Sequence, residues 1–342
     1  MLSYFIIFIL IALSTVIFTF LIKHVVTKLG IVDNPDQERK IHKKAIPLLG
    51  GTAIFLVFFI ALYFFQDKLL AGNLEARHWI GFFIGALFLM IGGFLDDKYN
   101  LSPLHQIIFP LLSIASVIIG GVEVIKITNP FGGFIQLGYL SSALIVLWLL
   151  GMIYTTKLLD GLDGLVSGTT AIGAFIIFLF TMTTKYYQPD VGLAALVLSA
   201  SCVGFLFFNW HPAKIFLGEG GSLFLGYALG VLAIISGGKI AIALLIMGIP
   251  IMDVVWTIIR RIIAGKNPFK FSDNKHLHFR LLNLGLSVRQ TVLIYYAFVI
   301  IFGLSALFLQ SQGKLYAFIV LLTIMFLIVL SLTYLDRKRK II

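Results

Sequence analysis

Acidic residues follow or interrupt apolar runs at three separate points of the chain. They are Asp96 and Asp97, Asp160 and Asp163, and Glu219. Glycines beside the last three acids allow a backbone to approach a ligand closely, and glycine-rich turns that open helices favour phosphate groups. A carboxylate beside a phosphate requires a cation between them, and oxygen ligands select Mg²⁺ or Mn²⁺. Each acid alone is equally well explained as a helix cap, but the set predicts phosphoryl chemistry.

The elements that position these acids belong to a very apolar chain. Of the 342 residues, 60% are hydrophobic and 12% are charged, whereas an average soluble domain has about 45–50% and about 25%. This composition excludes a soluble globular enzyme and a disordered chain. The single cysteine, Cys202, excludes an internal disulfide framework and a cysteine-based zinc site.

Apolar runs predict an all-α polytopic membrane protein. A helix spans the hydrocarbon layer with roughly 20 apolar residues. The sequence contains eleven such candidate runs, which predicts 10–11 transmembrane helices in a single domain over residues 1–342. The runs are residues 2–22, 50–65, 79–95, 104–121, 140–154, 165–184, 191–209, 222–236, 240–259, 291–309 and 315–334.

Basic residues predict the orientation of these helices. With the N-terminus outside and the C-terminus in the cytoplasm, 20 of the 26 lysines and arginines lie on one side. The positive-inside rule makes that side cytoplasmic. The net charge of +11 therefore indicates orientation in a membrane and predicts no binding to nucleic acid. The predicted cytoplasmic loops that carry the chemistry are residues 23–49, 96–103, 155–164, 209–221 and 260–289.

A short β-hairpin is predicted on the outer face. Apolar and polar residues alternate over residues 122–139, around the turn sequence N-P-F-G-G at residues 129–133. Alternation on both sides of a turn that contains Asn, Pro and Gly is typical of a hairpin.

Four motifs lie at the predicted cytoplasmic side. They are R-K-I-H-K-K-A-I-P-L-L-G-G at residues 39–51, L-D-D-K-Y-N-L-S-P at 95–103, L-L-D-G-L-D-G-L at 158–165 and F-N-W-H-P-A-K-I-F-L-G-E-G-G-S at 208–222, and a cytoplasmic segment H-L-H-F-R-L follows at 276–281. This set resembles the polyprenyl-phosphate N-acetylhexosamine-1-phosphate transferases, the MraY/WecA/TagO group of glycosyltransferase family 4. The resemblance extends over most of the chain, from about Val32 to Gly285.

The resemblance implies a reaction and its partners. A UDP-N-acetylhexosamine, most simply UDP-N-acetylglucosamine, would donate its sugar-1-phosphate to a polyprenyl phosphate of the undecaprenyl type, and UMP would leave. Members of the family use Mg²⁺, with Mn²⁺ as an alternative, in the bacterial cytoplasmic membrane. The reaction would be the first membrane step of cell-envelope glycan synthesis. A homodimer is compatible with the sequence.

The resemblance also implies roles for individual residues. Asp96 and Asp97 would help the lipid phosphate to attack, while Asp160 and Asp163 would contact the nucleotide and order the site. Glu219 and Asp160 would be the metal ligands. The implied substrate-binding residues are Lys44, Lys157, Asn209, Phe216, His276, His278 and Arg280. Among them, Phe216 would stack on uracil, Asn209 would support its loop, and the two histidines would hold the diphosphate or the sugar.

The sequence departs from the family pattern at several of these sites. Glu219 replaces an aspartate, and Tyr154 and Lys157 replace asparagines. Gln106 stands where a lysine is common, and Lys157 is expected to supply the missing positive charge. Two further departures are Phe279, where His is common, and Ala45, where Pro or Gly is common.

Other functions remain as alternatives. A phospho-MurNAc-pentapeptide transferase belongs to the same family, but H-L-H-F-R-L resembles the amino-sugar branch more. Intramembrane prenyltransferases need a second aspartate-rich motif to match Asp96-Asp97, and CDP-alcohol phosphotransferases expect Ala-Arg where Leu162-Asp163 stands. A transporter would carry its site near the middle of the membrane, where Asp253 is the one plausible acid.

Overall fold

The structure of the protein is a computed structural model that describes residues 2–35, 45–72, 74–183, 187–237, 240–263, 265 and 276–339. Helices dominate these residues. The helices are α1 (Leu2–Lys28), α2 (Gly51–Phe64), α3 (Gln66–Leu69), α4 (Ala76–Tyr99), α5 (Pro103–Gln106), α6 (Ile108–Ile119), α7 (Leu140–Leu159), α8 (Leu165–Thr183), α9 (Pro189–Asn209), α10 (Glu219–Ile235), α11 (Ile240–Ile246), α12 (Gly248–Ile263), α13 (Leu277–Asn283), α14 (Val288–Phe308) and α15 (Ser311–Arg339).

Long apolar helices make this a multi-pass membrane protein. Within the described residues, seven helices are long and apolar enough to cross a membrane, and an eighth span results if the bent pair α11–α12 counts as one. The predicted runs 50–65, 104–121 and 222–236 correspond to shorter apolar helical segments of 10–17 residues. At 1.5 Å rise per residue these segments are shorter than the roughly 20 residues of a typical crossing, so the total of 10–11 crossings stays a prediction.

The run at residues 240–259 is broken in the structure. The sequence predicts one span there, but α11 and α12 meet at an angle of 79°. Pro250 has no amide hydrogen to donate to the carbonyl of Ile246, where α11 ends. The break turns α12 so that Asp253, a buried acid, approaches the start of α13.

Burial is distributed as expected for a chain in lipid. Helices α8, α9 and α10 are buried around most of their circumference, whereas few residues of α1 and of the segment Ser311–Ser331 of α15 are buried. A soluble protein would not leave such long apolar faces in contact with water. The central trio therefore forms the core, and the outer helices present their apolar faces to lipid.

Glycines allow α10 to begin deep between α2 and α4. A β-carbon on Gly93 would collide with the backbone of Gly220, and one on Gly51 would collide with Gly221. Such contacts between backbones are available only to glycine. They fix the first turn of α10, which carries Glu219, against the last turns of α4.

Two small antiparallel sheets accompany the helices. Strands β1 (Val32–Asp33) and β2 (Ile46–Pro47) pair with each other, and β2 lies within the first motif; the sequence did not predict this pairing. Strands β3 (Lys126–Thr128) and β4 (Phe134–Gln136) pair in the register Ile127 to Ile135. This second pair lies in the segment where the hairpin is predicted. Its place on the outer face of the membrane remains a prediction.

Cysteine labelling is expected to place the two ends of the bundle on opposite sides of the membrane. In a Cys202→Ser background, Ser102→Cys should react with a membrane-impermeant maleimide only after the cytoplasmic face is opened. Phe131→Cys, which replaces an exposed side chain, should react in intact cells. The basis is the excess of lysine and arginine on one side. Labelling of both positions from the same side would contradict the predicted orientation.

Candidate active site

Three helix ends converge at one end of the bundle, namely the C-termini of α4 and α7 and the N-terminus of α10. The backbone amide of Glu219 donates to the carboxylate of Asp97, at 3.1 Å from Oδ2 and 3.3 Å from Oδ1. A helix N-terminus carries free amide hydrogens and a partial positive charge, so it stabilises a carboxylate there. Asp97 and Glu219, 122 positions apart, thus share one site.

Asp96 is oriented by the turn that ends α4. Its Oδ1 accepts hydrogen bonds from the backbone amide of Leu101 at 2.8 Å and from Nε2 of Gln106 at 2.9 Å. Asn100, in the left-handed conformation with φ of 51°, ends the helix and allows this turn. Asp96 is thereby held in place by two neutral donors.

Lys157, in the last turn of α7, links the other two helix ends. Its ammonium group donates to Oε1 of Gln106 at 2.9 Å and forms an ion pair with Oε1 of Glu219. A small cavity brings these groups together with Asp96 and with Tyr154. Four residues that depart from the family pattern, at positions 106, 154, 157 and 219, therefore line one cavity.

Asp160 follows α7 directly and faces the same acids. The residue keeps access to solvent, but protein atoms pack closely around its carboxylate. This desolvation, followed by the negative charges of Glu219, Asp97 and Asp163, raises the pKa of Asp160 to about 8. The mutual repulsion of these carboxylates would be relieved by a bound cation, so the donor set fits a metal ion at this point.

Asp163 joins the third motif to the fourth. Its Oδ2 lies 2.7 Å from Nδ1 of His211 and accepts a hydrogen bond from the backbone amide of Ala213 at 3.0 Å. Arg289 donates through Nε to the carbonyl of His211 at 3.0 Å. The aspartate thus holds the loop between α9 and α10. Sequence reasoning missed His211 as its partner, although H-P directly follows N-W in the motif.

Asn209 fixes the other side of this loop. Its Oδ1 accepts from the backbone amide of Gly164 at 3.1 Å and from Oγ of Ser167 at 2.9 Å, and its Nδ2 donates to the carbonyl of Ile215 at 3.1 Å. One buried side chain therefore connects the start of α8 to the loop before α10. The role in substrate binding that the resemblance implies for Asn209 stays a prediction.

Phe216 lies in the same loop and its backbone pairs with the first motif. Its amide donates to the carbonyl of Pro47 at 2.8 Å, and its carbonyl accepts from the amide of Gly50 at 2.9 Å. The ring is partly exposed. Lys44, which precedes this paired segment, lies outside the described residues, so its predicted contact stays a prediction.

A buried carboxylate from α12 holds His276. Oδ2 of Asp253 lies 3.0 Å from Nδ1 of His276, and its Oδ1 accepts from the backbone amide of Leu277 at 2.8 Å. All three residues are buried, so the carboxylate compensates for its loss of water with two hydrogen bonds. Sequence reasoning noted Asp253 as an acid in an apolar run but missed this partner, which the rule that buried charges need partners could have suggested.

His278 packs beside the third motif. Its ring is nearly parallel to that of His276 with centroids 5.7 Å apart, and a β-carbon on Gly161 would collide with its Nε2. Burial lowers the pKa of His278 to about 4, against the opposing charge of Asp253, so the ring is neutral at neutral pH. Among the described residues neither ring nitrogen has a hydrogen-bond partner. Arg280 lies in the same helix, α13, and its amide donates to the carbonyl of His276 at 3.0 Å.

A preformed metal cage is absent from the part of the chain that the structure describes. There, no group of three or more His, Cys, Asp or Glu side chains converges closely enough to hold an ion. Mg²⁺ commonly takes one or two protein carboxylates and completes its shell with water and substrate phosphates. The acids at positions 97, 160 and 219 suit that mode of binding, whereas a closed zinc site of histidines and cysteines does not fit.

Replacing Asp253 with asparagine is expected to lower turnover by about ten- to a hundredfold, because His276 loses its hydrogen bond to a charged acceptor. Asparagine can still accept from the amide of Leu277, so α13 should stay docked. Steady-state kinetics with a melting curve in detergent checks this. An unchanged kcat in a protein that melts normally would show that the Asp253–His276 pair does not position the site.

The chain is similar to proteins of known families over most of its length. The model for "Glycosyl transferase family 4" matches residues 79–237. A Bacillus subtilis protein named "Probable undecaprenyl-phosphate N-acetylglucosaminyl 1-phosphate transferase" is 35% identical over 332 residues, which cover 95% of this chain and 90% of the relative.

Two further relatives represent different lipids and different donors. A "Decaprenyl-phosphate N-acetylglucosaminephosphotransferase" of Mycobacterium tuberculosis is 30% identical over 85% of this chain and 79% of its own length. A "Phospho-N-acetylmuramoyl-pentapeptide-transferase" of Halalkalibacterium halodurans is 30% identical over 81% of this chain and 87% of its own length. The similarity to these three relatives thus covers between 81% and 95% of this chain.

Proposed function

Because the chain belongs to glycosyl transferase family 4, we propose that this enzyme transfers N-acetylglucosamine-1-phosphate from UDP-N-acetylglucosamine to an undecaprenyl-type polyprenyl phosphate. The site would face the cytoplasm from the bacterial cytoplasmic membrane. The observation that carries the proposal is the proximity of four carboxylates at the ends of α4, α7 and α10, since the charges of Glu219, Asp97 and Asp163 all act on Asp160. Carboxylates this close repel each other and destabilise the fold, so such a cluster indicates a site that binds a cation together with phosphate groups.

The reaction is a phosphoryl transfer that balances without a further reactant. An oxygen of the lipid phosphate attacks the β-phosphorus of the UDP-sugar, and the bond between that phosphorus and the oxygen bridging to the α-phosphate breaks. UMP leaves with the bridging oxygen, and the product is a sugar-diphospho-lipid. Catalysis of this type relies on positioning and charge neutralisation, and both tasks match the site.

The chain's acids have distinct tasks in this proposal. Asp96 is held by Gln106 and the turn after α4, next to the cavity where the acceptor phosphate would lie. Asp97 fixes the first turn of α10. Glu219 and Asp160 would hold Mg²⁺, or alternatively Mn²⁺, which when bound neutralises phosphate charge and orients the diphosphate. Asp163 orders the loop between α9 and α10 through His211.

The remaining predicted contacts would hold the nucleotide sugar. Phe216, partly exposed in its loop, would stack on uracil. His278 is buried without a partner for either nitrogen among the described residues, so a substrate oxygen would satisfy it. His276 is oriented by Asp253, and Arg280, in α13, would contact a phosphate of the donor.

The acceptor lipid would arrive from the side of α5 and α6. The cavity that holds Asp96 and Lys157 has an apolar wall that includes Phe109, Pro110 and Leu223. Near it, Leu104 and Ile108 expose 81% and 46% of their surfaces, as expected where an isoprenoid chain and lipid cover them. The enzyme would cross the membrane 10–11 times with its N-terminus outside, and it would form a homodimer.

The donor sugar is tested with a panel of nucleotide sugars. Purified protein with polyprenyl phosphate and Mg²⁺ should release UMP from UDP-N-acetylglucosamine faster than from UDP-N-acetylgalactosamine or UDP-MurNAc-pentapeptide. The second candidate is the muramyl-pentapeptide reaction, which the Halalkalibacterium relative favours. Preference for UDP-MurNAc-pentapeptide would establish that alternative in place of the proposed one.

A further inference from the structure

Lys157 is a partly buried cation in the middle of the site. Its side chain exposes 21% of its surface and that of its partner Glu219 exposes 19%. Lysine is rarely buried unless it is paired, and here the ammonium group has two protein acceptors, Oε1 of Gln106 and Oε1 of Glu219. An ammonium group has three hydrogens to donate. Its third hydrogen is therefore available to a ligand in the cavity.

The pairing conflicts with the metal role proposed for Glu219. A divalent cation on this carboxylate and the ammonium group beside it would repel each other within a few ångströms, in a site with little water. Both cations can be accommodated only if Lys157 moves or if additional negative charge enters. The flexible four-carbon stem of lysine allows such a movement, and Gln106 provides an acceptor that does not depend on Glu219.

We infer that Lys157 pairs with Glu219 while metal is absent, and that it binds the phosphate of the lipid acceptor once a metal ion binds Glu219. This inference rests on the proposed function. Since the cavity that contains Lys157 also contains Asp96 and the apolar wall at Phe109 and Leu223, the displaced ammonium group has an anionic headgroup within its reach. Metal and acceptor phosphate would then bind cooperatively, each favouring the other by the same factor.

The inference predicts opposite effects on two ligands. Lys157→Met frees Glu219 from its counter-ion, so Mn²⁺ alone should bind about fivefold to tenfold more tightly than to the parent protein. The same change removes a charged donor, so a prenyl phosphate should bind at least about tenfold more weakly. A residue that merely stabilises the fold would weaken both ligands or neither.

The test measures Mn²⁺ by the electron paramagnetic resonance signal of the free ion, on full-length protein in detergent without nucleotide. Farnesyl phosphate is the acceptor probe, and each titration is repeated in the presence of the other ligand. Lys157→Arg keeps the charge and should retain the cooperativity. Lys98→Met is the matched control. Lys98 follows Asp97 in the chain, its side chain is exposed, and its ammonium group lies over the ring of Tyr99. This variant should stay within about twofold of the parent for both ligands, since exposed charges act weakly.

The outcomes separate this inference from the proposed function. Tighter Mn²⁺ binding, weaker farnesyl phosphate binding and lost cooperativity in Lys157→Met support the inference. A Lys157→Met protein that binds either probe like the parent, or binds Mn²⁺ more weakly, overturns it while leaving the transferase function in place. A parent protein that binds neither probe overturns both.

Discussion

Asp97→Asn should lower the rate of UMP release by at least about a hundredfold while leaving the fold intact. The asparagine oxygen can still accept the hydrogen bond that Glu219 donates through its backbone amide, so the first turn of α10 stays in place. The negative charge is lost, however, and phosphoryl transfer depends on charge placed around the phosphates. The variant therefore separates the electrostatic role of Asp97 from its structural role.

The same reasoning extends to Asp96→Asn and Asp160→Asn. Asparagine at position 96 keeps an oxygen for the donors on Leu101 and Gln106, so a comparable loss is expected. UMP release is measured at saturating substrates, with melting curves to verify folding. Asp67→Asn, at an exposed acid of α3, serves as the control and should turn over like the parent. If Asp96→Asn, Asp97→Asn and Asp160→Asn all turn over like the parent, these acids are helix caps and the mechanism is wrong.

Glu219→Gln should abolish metal-dependent turnover, whereas Glu219→Asp should retain part of it. Glutamine keeps the length of the side chain but loses the charge that pairs with Lys157 and that would bind Mg²⁺. Aspartate keeps the charge and shortens the reach by one C–C bond, on the order of 1.5 Å. A displacement on the order of 1 Å can cost roughly a hundredfold in rate, so the two variants should differ clearly.

The Glu219 variants are compared by turnover over a range of Mg²⁺ concentrations and by binding of UDP-N-acetylglucosamine with Mg²⁺ present. Glu123→Gln, at an exposed glutamate before the hairpin, is the matched control. A Glu219→Gln protein with the parent's dependence on Mg²⁺ would transfer the metal role to Asp97 or Asp163.

The apolar runs predicted where the acids lie along the chain but not which of them touch. Acids at the ends of apolar runs are expected at helix ends on one face of the membrane, whereas the contact of Asp97 with the backbone amide of Glu219 appears only in the structure. The family assignment, confirmed by the relatives, rests on the same motifs. The lengths of the apolar runs predicted the extent of the helices less well, because hydropathy alone does not locate a helix break such as the one before Pro250.

The missed features are contacts between distant positions. His211 pairs with Asp163 across 48 residues, and His276 pairs with Asp253 across 23. Neither spacing corresponds to a period of helix or strand, so only the packed structure brings them together. The contact of Lys157 with Gln106 and Glu219 is similar in kind. The sequence suggested that Lys157 supplies the positive charge that is missing at Gln106, but it did not predict the ion pair between Lys157 and Glu219.

The central claim is that the bond between the two phosphates of the donor breaks in a site made by the acids of α4, α7 and α10. It is tested most directly with UDP-N-acetylglucosamine labelled with ³²P in the β-phosphate, mixed with purified protein, polyprenyl phosphate and Mg²⁺. The label should move into the lipid fraction, with one labelled phosphate transferred for each UMP released, and Asp97→Asn should prevent this transfer. Label that remains in the aqueous phase as UDP while the lipid gains only sugar, or a lipid fraction without label, would contradict it.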